Sequence, residues 1–299
     1  MINLPIVTTL MNQQHDIDEA MLRATQCVRN ADVLLVAAGA GMGVDAGLPD
    51  YHGGIHRAHP RLAEIGLSVY DLSNHTLFEQ NPTLAWGHWT TRQREYSNTL
   101  PHVGYHILHS WSKSDKRNVR VVTTNLDRHF LRTGFTVDNV FEMHGSMYDA
   151  QCMNRCGVHP WILDINTMPP VDLNTMLLLG PPPLCIQCGG PARVCTQLAV
   201  DGHWDTSQVE AARRRHETFF RELSTERVVT ALEIGCGTVM AKLRKEAERI
   251  VADHRTRGGR AVHIRINLHQ PHIDEHEDNI SLPLGALEAL RTMNQLRID

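Results

Sequence analysis

Apolar positions along the chain follow two periods. Between 17 and 30, Ile17, Met21, Ala24 and Val28 fall three or four apart, which places them on one face of a helix. The run 33–38 (VLLVAA) that follows is apolar throughout and too short for a helix, so it predicts a strand buried on both faces. Similar runs recur at 119–123, 228–234 and 261–266, with a weaker one at 139–143, and most are rich in β-branched residues. Helical spacing returns between them, as at 241–252. Strands alternating with helices predict an α/β fold built on a parallel sheet.

Two stretches interrupt that alternation. Residues 51–101 carry Trp86, Trp89 and many histidines at helical spacing; residues 146–200 carry two pairs of cysteines and the turn Pro181 to Pro183. The expected organisation is a discontinuous large domain from 17–50, 102–145 and 201–299, with a helical insertion at 51–101 and a cysteine-bearing module at 146–200.

The unusual residues sit where each strand ends. Gly39-Ala40-Gly41 and Gly43 follow the first run, Thr124-Asn125 and then Asp127 the second, His144 the weak one, Gly235-Cys236-Gly237-Thr238 the third and Asn267 the fourth. In open parallel sheets that edge is where ligands bind. Glycines there let backbone amides approach a phosphate closely. The spacing departs from G-x-G-x-x-G, because Val44 stands at the third glycine position, and a tight connection alone would read the same way. An imidazole such as His144 can accept a proton near neutral pH, and Asn125 and Asp127 can donate or accept hydrogen bonds at a polar ligand. Their plainer readings are one structural histidine among 19, a turn residue and a helix cap.

Cys152 and Cys156 form one close pair and Cys185 and Cys188 another, among seven cysteines in all. Four thiolates in two clips are what a closed tetrahedral zinc site needs, so a structural metal is expected. Buried free thiols are the other reading, and His159 is a possible substitute for one ligand.

Composition narrows the partners. With 42% hydrophobic and 21% charged residues the 299-residue chain is expected to fold, and its net charge of −4 provides no global field for nucleic acid or an anionic membrane. The triplet Arg213, Arg214, Arg215 reads as a solvated helix face. No apolar stretch approaches the ~20 residues of a membrane span, and the start lacks the features of a secretory signal, so a cytoplasmic protein is expected.

The stretch GAGMGVDAGLPDYH (39–52) resembles the fingerprint of the sirtuin, or Sir2-like, family, in particular a bacterial subgroup with a GAGMGVD loop. TTNLD (123–127), EMHGS (142–146), EIGCGT (233–238), IRIN (264–267) and LPLGALEAL (282–290) resemble the family's further motifs, in the same order. The resemblance implies a Rossmann-like large domain with a smaller inserted zinc-binding and helical module. It also implies NAD held by Gly39, Ala40, Gly41 and Gly43, by Asp50, Tyr51 and His52, by Thr124, Asn125 and Asp127, and by Gly235, Gly237, Thr238 and Asn267. His144 would act as general base with Asn125 and Asp127 beside it, and zinc would sit on the four paired cysteines. The implied activity is NAD-dependent protein-lysine deacylation or deacetylation, releasing nicotinamide and O-acyl-ADP-ribose. Four positions depart from the family pattern: His52 stands for arginine, Tyr51 for phenylalanine, and Ala199-Val200 for the Phe-Gly step that lines the acyl-lysine tunnel and pairs with the substrate peptide. ADP-ribosyl transfer, NAD hydrolysis and a non-catalytic NAD-binding module therefore stand as alternatives.

Overall fold

A computed structural model describes residues 4–49, 64, 66–114, 118–199, 201–239 and 241–298. Helix α1 (Leu4–Asn30) leads into β1 (Val33–Ala38) and the single turn α2 (Gly41–Val44). The helical stretch follows as α3 (Val69–Leu72), α4 (Thr76–Gln80), α5 (Pro82–Asn98) and α6 (Val103–Ser114). Next come β2 (Asn118–Thr123), α7 (His129–Arg132), β3 (Val140–Glu142) and β4 (Gly145–Cys152), then the short strands β5 (Trp161–Ile162), β6 (Val171–Asp172) and β7 (Leu177–Leu178). The chain closes with β8 (Ala192–Thr196), α8 (Ser207–Glu222), β9 (Val229–Ile234), α9 (Lys242–Thr256), β10 (Ala261–Ile266), β11 (Ile280–Leu282) and α10 (Ala286–Ile298).

Six strands form one sheet in the order β11-β10-β9-β1-β2-β3, every pair parallel. All six residues of β1 and of β9 are buried between two helix layers; β1 is apolar throughout, whereas β9 buries Thr230 and Glu233, the latter paired with His263 and Arg265. The register explains why the polar residues meet. Ala38 lies level with Thr123 on one side and Ile234 on the other; Thr123 pairs with Glu142, and Ile234 with Ile266. The residues after each strand therefore emerge at one edge. From β1 the chain crosses to β2 on one side while β9 lies on the other, so the crevice of this topology opens between β1 and β9.

One face is covered by α1, α6 and α10 through Met21, Val28, Leu108, Trp111, Leu290 and Met293, the other by α8 and α9 through Phe220, Leu243 and Ile250. Helix α1 starts well before the periodicity at 17 announces it, because the extension contains Ile6, Val7, Thr8 and Thr9, β-branched residues of low helix propensity. Strand β11 has only three residues and left no readable run.

The two interruptions share one core. Trp86 and Trp89 of α5 and Phe78 of α4 pack with Met147 and Ala150 of β4 and Val194 of β8. Trp86 Nε1 donates to the Ala192 carbonyl at 3.0 Å, fixing α5 to the antiparallel sheet β5-β4-β8.

Candidate functional site

The loops after β1 and β9 cross in backbone contact. Gly39 N donates to Ile234 O at 2.9 Å and Gly41 N to Gly235 O at 3.0 Å. A Cβ on Gly39 would fall 2.6 Å from Gly235 O, one on Gly41 2.6 Å from Gly235 Cα, and one on Gly235, whose φ is +63°, 2.4 Å from Met42 N. No flexible side chain is available to yield, so these three glycines are required by the crossing itself. Gly235→Ala is expected to lose about 2–3 kcal/mol of stability from a left-handed residue jammed against backbone. An unchanged thermal midpoint would contradict this account of the crossing.

Around the crossing lies a cavity of about 600 Å³. Gly39, Ala40, Gly41, Gly43, Thr124, Asn125, Asp127, His144, Gly235, Gly237 and Asn267 all line it, so the structure gathers residues from five separate strand ends. Thr238 stands exposed at the rim between Gly237 and Val239, its N–H donating to Gln270 Oε1 at 3.0 Å. Asp50, Tyr51, His52 and Val200 lie outside the described residues.

Much of the polar lining is occupied in holding the loops. Thr123 Oγ1 donates to Ala38 O at 2.7 Å and accepts from Asn125 N at 3.0 Å, while Asn125 Nδ2 donates to Gly39 O at 3.0 Å. Asn267 Nδ2 donates to Cys236 O at 2.9 Å, and its Oδ1 accepts from the amides of His269 and Gln270. Asp127, buried, accepts from His129 N at 2.8 Å and so caps α7, and burial raises its carboxyl to about 6.

His144 differs from these. Its carbonyl is fixed by Thr196 Oγ1 at 2.6 Å and Gln197 N at 2.9 Å, yet its Nε2 is buried and has no partner. Burial first, and then the charge of Lys242, lower the imidazole to about 4, so it is neutral at physiological pH and able to take a proton.

Glu142, two residues earlier, is pushed up to about 8 by burial, opposed by Arg128, which also pairs with Asp149. In the folded state Glu142 therefore keeps a proton that the unfolded chain releases near ~4.3. The folded form binds more protons between those values, so stability falls as pH rises through that window. Between pH ~6.5 and ~8 two other shifts act weakly and in opposite senses: the unfolded chain sheds the remaining proton of His144 near ~6.5 while the folded imidazole is already neutral, a small gain, and the last folded-state protons leave Asp127, a small loss. A fall in stability on the order of 2 kcal/mol across that range is expected from Glu142, at roughly 1.4 kcal/mol per pH unit. Glu142→Gln should flatten it in chemical denaturation measured at the two pH values; an equal slope in both proteins would contradict the assignment.

At the other end of the cavity stand Trp89, Arg92 and Tyr96 of α5, with Tyr70, Ser73, Leu198 and Ala199. Arg92 is only 8% exposed and lies between the rings of Trp89 (5.0 Å) and Tyr96 (5.4 Å). Its Nη2 donates to Tyr96 Oη at 3.2 Å, its Nε has no partner, and no carboxylate among the described residues pairs with it. None of these three was marked as a site residue by the sequence reading. The available signal was an arginine at i+3 from Trp89 on a helix face that is otherwise core, although it carries no glycine or strand end to draw attention.

The four paired cysteines converge. Their sulfurs lie within 4.8 Å of one another, with Cys152–Cys188 and Cys156–Cys185 at 3.6 Å, close to the ~3.8 Å edge of a tetrahedron with ~2.3 Å zinc–sulfur bonds. The amides of Gln187 and Cys188 point at Cys185 Sγ, at 3.4 and 3.5 Å, and lower its thiol toward the thiolate a metal takes. His159 is outside the group.

The model of the Sir2 family matches residues 39–231. The chain belongs to the Sir2 family. A Fusarium oxysporum protein named a probable bifunctional ADP-ribose hydrolase/ADP-ribosyltransferase is 28% identical over 228 residues, 72% of this chain but 37% of that protein. A Pseudomonas syringae NAD-dependent protein deacylase 2 is 26% identical over 207 residues, 69% of this chain and 74% of that one. The fold is that of a Sir2 homologue solved as an NAD complex, with a TM-score of 0.62 at 19% identity over 92% of this chain and 93% of that one.

Proposed function

We propose that this Sir2-family protein is an NAD-dependent protein-lysine deacylase whose cavity takes NAD across the β1/β9 crossing and an acylated lysine beside Trp89 and Arg92. The observation that carries this is the neutral imidazole of His144 on the cavity wall, with its Nε2 buried and unpartnered. A module that only binds a dinucleotide would have no use for it.

NAD bound there would supply the nicotinamide–C1′ bond, which is exchanged for a bond to the acyl oxygen with loss of nicotinamide; a ribose hydroxyl then takes the acyl carbon, the bond to the lysine nitrogen breaks with consumption of one water, and the free lysine amine and O-acyl-ADP-ribose leave. Gly39, Gly41 and Gly235 are spent on the contact between the two loops, and a pyrophosphate would lie against the adjoining cavity wall of Ala40, Gly43 and Gly237. One N–H of the Asn125 amide holds Gly39 O, and its Oδ1 can accept from a ribose hydroxyl. Asp127 is the acceptor for the carboxamide end, and His144 Nε2 takes the proton of a ribose hydroxyl. The four cysteines hold zinc, whose closed thiolate set leaves no position for substrate and so serves the fold. The domain boundaries and cytoplasmic location expected from sequence belong to this proposal. Among the described residues no helix is long and apolar enough to cross a membrane.

Arg92 refines the acyl group. A buried guanidinium on the cavity wall, with no carboxylate paired to it among the described residues, favours an acyl chain that ends in a carboxylate. Arg92→Met is expected to lower kcat/KM for a carboxyl-terminated acyl-lysine by at least ~30-fold, while an acetyl-lysine changes by less than ~3-fold. Equal losses on both would remove Arg92 from acyl selection.

ADP-ribosyl transfer or NAD hydrolysis is the second reading, favoured by the Fusarium relative's name and by Ala199 at the acceptor end. Incubating the protein with NAD and acyl-peptides, and following nicotinamide, O-acyl-ADP-ribose and protein-bound ADP-ribose by mass spectrometry, separates them. Nicotinamide release that requires acyl-peptide is expected; release indifferent to it would favour the second reading.

A further inference from the structure

Two loops form the β9/β10 side of the cavity, 235–237 after β9 and 267–270 after β10. Both are held from behind by one side chain that does not line the cavity. Arg244, in the first turn of α9, donates to Cys236 O through Nε at 2.9 Å and through Nη2 at 2.6 Å, and the same Nη2 donates to Gln270 O at 3.0 Å. Asn267 Nδ2 gives Cys236 O a third bond. That carbonyl is thus fixed toward Arg244, and because a trans peptide sets its N–H opposite its C=O, the Gly237 N–H points the other way. Gly237 stands on the cavity wall, so the guanidinium sets the direction of a wall amide without reaching the wall itself.

Helix stability alone does not account for an arginine here. Arg244 is buried, stands between Lys242 and Lys245, and shares the first turn of α9 with no acid, so its charge opposes the helix dipole. Its counter-charge comes from β9: Arg244 Nε lies 3.5 Å from Oε1 of Glu233, which is fully buried. The same carboxylate accepts from Arg265 Nε at 2.7 Å and Arg265 Nη2 at 2.8 Å, and bonds His263 Nε2 at 3.0 Å. Arg265 also meets Glu248 at 2.8 Å and donates to His272 O, beyond β10. One buried carboxylate therefore carries two arginines, and both hold loop carbonyls at the sheet edge where the cavity opens.

We infer that Arg244 is a positioning residue for the dinucleotide: it sets the 235–237 and 267–270 loops in the arrangement that NAD meets, without touching NAD. This rests on the NAD-binding part of the reading above and is independent of what accepts the ADP-ribose. The planar guanidinium serves two carbonyls on separate loops at once, a geometry that the single nitrogen of a lysine does not reproduce. His144, Asn125 and Arg92 make none of these bonds, so losing Arg244 weakens NAD binding and spares the chemical step.

The test compares Arg244→Lys and Arg244→Met with the unmodified chain by the Kd of NAD and of ADP-ribose in calorimetry, by kcat for nicotinamide release with and without acyl-peptide, and by the thermal midpoint. Arg244→Lys keeps a cation beside Glu233, so its midpoint is expected within about 5 °C of the unmodified chain, with both Kd values raised at least about threefold and kcat changed less than the affinity. Arg244→Met, which removes charge and donors together, is expected to weaken both ligands by at least about tenfold. A smaller rise in Kd for folded Arg244→Lys would overturn the inference. So would a larger drop in its midpoint, or a loss in kcat as great as the loss in affinity, since Arg244 would then serve the fold as a whole. Arg244→Lys decides the matter if Arg244→Met does not fold. An unmodified chain that binds neither NAD nor ADP-ribose would overturn the NAD reading and this inference together; one that binds both, with Arg244→Lys binding alike, would overturn the inference alone.

Discussion

His144→Ala is expected to lower acyl-dependent nicotinamide release by about 10²- to 10⁴-fold, the range a positioned general base contributes. The loss should fall on kcat with little change in the binding of NAD, because His144 Nε2 is not engaged in holding any loop; only its backbone carbonyl is, through Thr196 and Gln197. The variant should therefore fold and bind NAD as the unmodified chain does. Since burial places the imidazole near 4, His144 stays neutral above about pH 5, and its titration should not limit activity near neutrality. Retained turnover in a folded His144→Ala protein would remove the base assignment.

Loss of the metal is expected to have the second large effect. Binding of a structural zinc is coupled to folding with apparent energies of about 10–16 kcal/mol in small zinc modules. The cysteine clips sit at the ends of β4 and β8, whose core is shared with α5 through Trp86 and Trp89. Cys185→Ser, or a strong chelator, should thus loosen more than the clip. Stoichiometric zinc in the purified protein is expected, and its removal should change tryptophan fluorescence and abolish selection by Arg92, which lies one turn from Trp89. Zinc-free protein with an unchanged thermal midpoint would contradict the metal assignment.

How much of this was legible in sequence depended on the kind of constraint. The buried strands were, because helices cover both faces of the sheet and force β1 to be apolar throughout. So was the convergence of Gly39, Asn125, His144, Gly235 and Asn267, since a parallel sheet brings its carboxyl ends to one edge. The four cysteines were legible because thiol spacing is a local property. Arg92 was not, because its significance is a buried guanidinium with no carboxylate paired to it among the described residues, which no spacing reports. The bond from Ala199 N to Ser73 O was equally hidden: the departure at Ala199 suggested a reshaped acceptor end, but this contact joins positions more than a hundred residues apart. Asn267, expected at the cofactor, lines the cavity, and its amide is committed to Cys236 O and to the amides of His269 and Gln270.

The central claim is that the acyl oxygen, not water, takes the place of nicotinamide at C1′. It is tested most directly with an acyl-lysine peptide labelled with ¹⁸O at the acyl carbonyl, in unlabelled water, with the product O-acyl-ADP-ribose fragmented by mass spectrometry. The account predicts the label in the ADP-ribose moiety. ADP-ribose formed with unlabelled oxygen only would contradict it.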